Sequence, residues 1–117
     1  MVVLTVPLTS KTKGMFNEEM FSHFKDGSVL VNISRGAVVN EKDLVKALES
    51  GILSGAVLDV FENEPPLAVE HPLLHAKNTV VTPHVAFASK EALEARADIV
   101  FANIAAFLEG KPQNIVK

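Results

Sequence analysis

The chain has 117 residues, 48% of them hydrophobic and 21% charged, which suits one globular domain with its own core and argues against disorder. A formal net charge of −3, with eleven scattered basic residues, offers no electrostatic footprint to a nucleic acid. The lack of cysteine removes disulfides, thiolate metal sites and cysteine nucleophiles and fits a cytoplasmic setting, while no apolar run approaches the roughly 20 residues that cross a bilayer.

Val2 to Val6 is a short apolar run stopped by Pro7; it reads as a strand and lacks the length and basic flank of a signal peptide. Asn17 caps a short helix through Glu18, Glu19, Met20 and Phe24, ending near the Asp26-Gly27 turn. A second strand follows over Ser28 to Ile33. Asn40 caps the clearest short helix, with Glu41 and Asp43 in the first turn, Leu44 and Leu48 on one face, and Gly51 as the stop. Ala56 to Val60, marked off by Gly55, and Thr79 to Thr82, ended by Pro83, are strands rich in β-branched residues. Between them Phe61 to Asn78, with Pro65, Pro66 and Pro72, reads as a long irregular stretch of the kind that carries function. Ser89 opens a long helix with Leu93, Ala97, Val100, Ile104 and Leu108 on one face, closed by Gly110 and Pro112. Its length implies docking across another surface.

The strand runs are apolar without clean alternation, as in strands covered on both faces. Strand alternating with helix predicts an α/β fold: a parallel sheet of about four strands with flanking helices and right-handed crossovers. Ligands of such sheets bind beyond the carboxyl ends of the strands. Those ends are polar here, and Arg35, Asp59, Glu64 and His84 are placed to converge on one rim. Arg35 offers a planar fork for a carboxylate, with Gly36 behind it for close approach or a sharp turn; the alternative is a surface salt bridge. His84, directly after a strand and a proline, is the best general acid/base candidate, set against a purely structural histidine. Glu64 gains meaning only if bonded to His84, where it would fix which ring nitrogen faces a substrate. His23, His71 and His75 read as structural, and their spacing does not suggest a metal site. No nucleophile elbow or Gly-rich phosphate loop is present in the sequence.

Four motifs stand in order: Val6-Pro7-Leu8-Thr9 with Thr12; Asn32-Ile33-Ser34-Arg35-Gly36; Leu58-Asp59-Val60-Phe61-Glu62-Asn63-Glu64-Pro65; and Thr82-Pro83-His84. Together they make the chain resemble the D-isomer-specific 2-hydroxyacid dehydrogenases over essentially its whole length. His84-Val85-Ala86-Phe87-Ala88-Ser89, where many members have glycine in place of Phe87, resembles the D-lactate dehydrogenase branch. Glu64 argues against the formate dehydrogenase branch, which pairs its histidine with glutamine.

The resemblance implies half of a Rossmann-type NAD-binding domain over residues 1–88. Residues 89–117 would form the long helix and tail that in the family return to the substrate domain. It implies an enzyme interconverting D-2-hydroxy acids and 2-oxo acids by hydride transfer, with NAD as cofactor and NADP equally admissible. Arg35 would bind the substrate carboxylate, His84 would exchange the proton, and Glu64 would orient His84 and favour its imidazolium form. Asp59 would bond the nicotinamide carboxamide, and Pro7, Ile33, Ser34, Arg35 and His84 would line the cofactor. The Gly-x-Gly-x-x-Gly turn and ribose-binding acid of full-length members are not among these residues, so the isolated chain is expected to be inactive or nearly so. The strand at Val2 to Val6 then becomes a bare edge, from which homo-oligomerisation through it or the family's dimer surface is expected. The competing expectation is a catalytically silent binding or corepressor-like module of the same fold.

Overall fold

The computed structural model describes residues 1–64 and 67–116; Pro65 and Pro66, which belong to the third motif and the irregular stretch, and Lys117 lie outside the described residues. The elements are β1 (Val2–Leu4), α1 (Glu18–Ser22), β2 (Ser28–Asn32), α2 (Glu41–Glu49), β3 (Leu53–Leu58), α3 (Pro72–His75), β4 (Thr79–Val81) and α4 (Lys90–Leu108). The strands form one parallel sheet of four in the order β1-β2-β3-β4. This is the parallel α/β architecture expected, with β1 at an edge.

Two compact units divide the chain, Met1–Val85 and Ala86–Lys117. In the first, asparagine caps start the helices. Asn17 Oδ1 accepts the Met20 N–H at 3.0 Å, and Asn40 Oδ1 accepts those of Lys42 and Asp43 at 3.1 and 3.2 Å, satisfying donors that a helix start leaves open. Phe16, Phe21 and Phe24 cluster with centroids 5.7 to 6.5 Å apart. Their interior members join Leu30, Leu44, Leu53, Leu58 and Leu73 in a core between the helices and one face of the sheet.

Within this chain that core covers one face of the sheet. In register, Leu4, Asn32 and Leu58 share one buried face. Val3 and Val80 belong to the other and are 45% and 57% exposed within this chain.

Two local departures have identifiable causes. β3 begins at Leu53 rather than Ala56, so Gly55 lies inside the strand instead of marking its start. A Cβ on Gly55 would stand 2.8 Å from Asn78 O, so the glycine admits a neighbouring backbone, a recognised use of strand glycine. Within the stretch expected to be irregular, Pro72–His75 forms the short helix α3, with Pro72 in its first turn where a missing N–H is harmless.

In the second unit Ser89 Oγ caps α4 by accepting the Ala92 N–H at 3.1 Å. The apolar positions are not confined to the expected stripe. Phe101 and Phe107 are each 71% exposed, as are Leu93, Val100, Ile104 and Leu108 in large part, and α4 has no buried residue. No helix among the described residues is long and apolar enough to cross a membrane.

Candidate active site

The carboxyl ends of the strands are built by short-range hydrogen bonds. After β1, Thr12 Oγ1 donates to Pro7 O at 2.7 Å and accepts the Thr9 N–H at 2.8 Å, closing the first motif into a compact turn. After β2, Asn32 is buried. Its Oδ1 accepts the Ser34 N–H and hydroxyl at 3.1 and 2.9 Å, and its Nδ2 donates to Arg35 O at 3.1 Å. Both ends of a buried amide are thereby satisfied, and the backbone carrying Arg35 is fixed. The Arg35 guanidinium donates from Nη1 to Ser34 O at 2.6 Å.

Gly36 opens a single tight helical turn, Gly36–Val38, directly after the extended Arg35, which is the sharp turn expected as one of its two roles. A Cβ there would lie 1.8 Å from Phe61 C and 2.3 Å from Glu62 N, so the glycine exists for contact with the chain's own Phe61–Glu62 peptide.

Beyond β3, Asp59 is buried, and its Oδ1 accepts the Thr82 hydroxyl at 2.5 Å and the Val85 N–H at 2.8 Å. Asp59 O also accepts the His84 N–H at 2.8 Å. One aspartate thus brackets His84 on both sides. His84 itself has φ +54°, a left-handed conformation that is strained for a side-chain-bearing residue and persists where surrounding bonds enforce it.

His84 Nδ1 meets Glu64 Oε2 at 2.7 Å, and Glu64 Oε1 accepts the Phe61 N–H at 3.0 Å. The carboxylate therefore fixes the ring orientation and leaves Nε2 as the ring nitrogen for another partner. Burial of the Glu64 carboxyl opposes its ionisation. The Phe61 N–H bond, the bond and charge of His84, and the field of Arg35 together outweigh that and hold Glu64 below its ordinary value of 4.5.

A carboxyl lowered on folding stabilises the fold above its ordinary pKa, and that contribution disappears as pH falls through the lowered folded value. The part of the stability lost in Glu64→Gln that comes from the carboxylate charge is therefore expected to be full at a pH well above 4.5 and to shrink at a pH below the lowered folded value. Denaturant unfolding of both proteins at the two pH values checks this, and a gap that stays constant refutes it.

Two recesses receive the predicted residues. Pro7, Ile33, Ser34 and Arg35 line a cleft of about 530 Å³ at the ends of β1 and β2. Asp59, Glu64 and His84 line a cavity of about 300 Å³ with Phe61, Leu67, Leu74, Val81, Thr82 and Pro83. Arg35 belongs to the first recess, yet its charge reaches Glu64 in the second.

His23 caps the end of α1, His71 Nε2 pairs with Glu41 Oε2 at 3.1 Å, and His75 Nε2 meets Val69 O at 2.7 Å. Among the described residues no cluster of three or more His, Asp or Glu suits a metal. The sequence did not single out Asn32 or Thr82, which hold Arg35 and His84 in place. A polar residue at an otherwise apolar strand end was the available signal for Asn32.

Residues 1–86 match the family described as D-isomer specific 2-hydroxyacid dehydrogenase, NAD binding domain. The chain is 43% identical over 115 residues to a hydroxypyruvate reductase of Blautia hydrogenotrophica, covering 98% of this chain and 35% of that protein. It is 48% identical over 110 residues to a glyoxylate reductase of Pyrococcus furiosus, covering 94% of this chain and 32% of that protein. The chain thus spans about a third of the length of these curated relatives. Among solved structures, a D-isomer specific 2-hydroxyacid dehydrogenase from Xanthobacter autotrophicus, in complex with NADPH and MES, superposes with TM-score 0.81 at 40% identity, covering 98% of this chain and 47% of that one. A D-lactate dehydrogenase of Treponema pallidum gives TM-score 0.87 at 28% identity, covering 98% and 39%. With its parallel sheet, its four motifs and this match over residues 1–86, the chain belongs to the D-isomer specific 2-hydroxyacid dehydrogenase family, in its NAD-binding domain.

Proposed function

We propose that this chain supplies the acid–base and substrate-anchoring side of an NAD(P)-dependent site that interconverts small D-2-hydroxy acids and 2-oxo acids. The observation that carries the reading is the 2.7 Å contact between His84 Nδ1 and Glu64 Oε2 at the carboxyl edge of the sheet, with the charge of Arg35 close enough to act on Glu64.

The cleft lined by Pro7, Ile33, Ser34 and Arg35 fits the nicotinamide end of a dinucleotide. Leu8 and Ile33, 44% and 42% exposed, offer apolar surface for a flat ring in this cleft. When bound there, NADH supplies the hydride that reduces the carbonyl carbon. Arg35 holds the substrate carboxylate by charge-assisted hydrogen bonds. His84 gives the proton from Nε2 to the carbonyl oxygen as it becomes a hydroxyl, and takes it back in the oxidative direction. Glu64 keeps the ring in place throughout and accepts the hydrogen on Nδ1. The names of the relatives point to glyoxylate and hydroxypyruvate as the first substrates to try. A silent binding module of the same fold would have no chemical need for the His84–Glu64 pair.

The sequence holds no Gly-x-Gly-x-x-Gly turn, so these residues give the pyrophosphate no helix N-terminus and NADH binding by the chain alone is expected to be weak. Titration with NADH, followed by amide NMR, should move the signals of Ile33, Ser34 and Arg35, and glyoxylate should move those of Arg35 and His84. Silence at the first set overturns the cofactor assignment, and silence at the second overturns the substrate assignment.

A further inference from the structure

Two successive backbone donors follow β3. The Phe61 N–H binds Glu64 Oε1 at 3.0 Å, and the Glu62 N–H binds Glu41 Oε1 at 2.9 Å. Glu41 begins α2, and its second oxygen meets His71 Nε2 at 3.1 Å. His71 lies at the head of α3, with its ring edge-on to Phe61 at 5.5 Å. The two side chains are largely buried, 19% and 17% exposed. His71 Nδ1 is buried without a hydrogen-bond partner among the described residues. Putting the ring hydrogen on Nε2, where Glu41 accepts it, leaves only a lone pair unmatched at Nδ1; the other tautomer would bury an unmatched N–H against no acceptor and set two acceptors face to face. On the opposite side of the same Phe61–Glu62 peptide, Gly36 packs too closely to admit a Cβ.

A carboxylate at the first turn of a helix ordinarily serves the helix dipole. Glu41 instead spends both oxygens on groups 21 and 30 residues away in sequence. We propose that Glu41, braced by His71, is a positioning residue for the acid–base pair: by fixing the Glu62 N–H it sets the turn in which Phe61 N–H holds Glu64, and through Glu64 it sets the ring of His84. This rests on the reading of Glu64 and His84 as that pair. Neither Glu41 nor His71 lines the cavity that contains His84, so they act on it through residues 61–64, Glu41 by the Glu62 N–H and His71 by its contact with the Phe61 ring.

The test is Glu41→Ala in the whole chain, with two NMR readouts on bonds that Glu41 does not itself make. Amide exchange at Phe61 should quicken by about ten-fold or more, as for loss of a charge-assisted hydrogen bond. The Glu64 carboxyl titration should move up toward its ordinary value, as the Phe61 N–H and His84 contacts loosen. Glu41→Gln keeps an acceptor for the Glu62 N–H but turns an amide N–H toward His71 Nε2, so it should restore both readouts in part. A loss of overall stability alone would move neither the Glu64 titration nor its rescue by glutamine. If Glu41→Ala quickens exchange at Glu62 but leaves Phe61 and Glu64 as they were, the proposal is overturned. Should Glu41→Ala fail to fold, His71→Ala carries the same two readouts, and an unchanged Glu64 titration there overturns it equally. Both measurements are made without cofactor or substrate, so a failure to bind NADH would sink the functional reading while leaving this result intact.

Discussion

Replacing His84 with alanine in the natural protein that carries this sequence is expected to lower kcat for glyoxylate or hydroxypyruvate reduction by about 100- to 10,000-fold, the range for loss of a positioned general acid. Affinity for NADH should fall much less than kcat, because Pro7, Ile33 and Ser34 line a recess of their own and His84 is one of several residues expected to line the cofactor. Glu64→Gln offers an informative contrast. One amide oxygen cannot accept from both the Phe61 N–H and His84 Nδ1, as the two carboxylate oxygens do, so the substitution removes the negative charge and one of the two bonds while leaving the imidazole in place. Its kcat should therefore fall less than that of His84→Ala, and the size of the loss measures what the charge and bonds of Glu64 together add to His84. Steady-state kinetics with fluorescence titration of NADH measures both effects. An alanine variant that retains turnover within about ten-fold would remove His84 from the proton-transfer step.

The elements whose signals are local were legible in the sequence. Asn17, Asn40 and Ser89 cap helices because a short polar side chain can reach back to a free N–H two or three residues on, and that chemistry needs no tertiary partner. The strands announced themselves by β-branched apolar runs, and the parallel sheet by their alternation with helices. What escaped depends on groups that meet only after folding. Gly55 looked like a boundary because its neighbour, Asn78 O, is remote in sequence. Glu41 looked like a dipole residue because its partners are the Glu62 N–H and His71. The strained backbone of His84 is enforced by Asp59 from a different strand end, and no local pattern encodes it. The candidate site shows the same division. Arg35, Glu64 and His84 were identifiable as residue types at strand ends, whereas Thr82, which reaches Asp59 at another strand end, gave no local signal, and Asn32 gave only that of a polar residue ending an apolar strand.

Gly36→Ala is expected to be among the most damaging single substitutions in the chain, although it adds one methyl group. The new Cβ would fall 1.8 Å from Phe61 C, 2.1 Å from Phe61 O and 2.3 Å from Glu62 N, all of them backbone atoms. No rotamer change relieves such a contact, so either the segment after β2 or the Phe61–Glu62 peptide must move. Val38 on the first side and Phe61 on the second are buried, which leaves neither free to give way. Overpacking typically costs about 1 to 3 kcal/mol, and a clash with rigid backbone atoms places Gly36→Ala at or above the upper end of that range. Displacement of Phe61 also carries the N–H that holds Glu64, while displacement of the β2 end carries Arg35. Activity should therefore fall further than the lost stability accounts for, even at temperatures where the variant remains folded. Gly51→Ala provides the control. Gly51 has φ +82° with nothing within 4 Å of a built Cβ, so its substitution strains the backbone without a clash and should cost about 1 to 2 kcal/mol. Denaturant unfolding of the two variants separates the effects. If Gly36→Ala costs no more than Gly51→Ala, the close contact between the Arg35 and Glu64 segments is not what requires glycine at position 36; if it costs more and also disturbs the Glu64 carboxyl signal, that contact is the mechanical link between the two halves of the site.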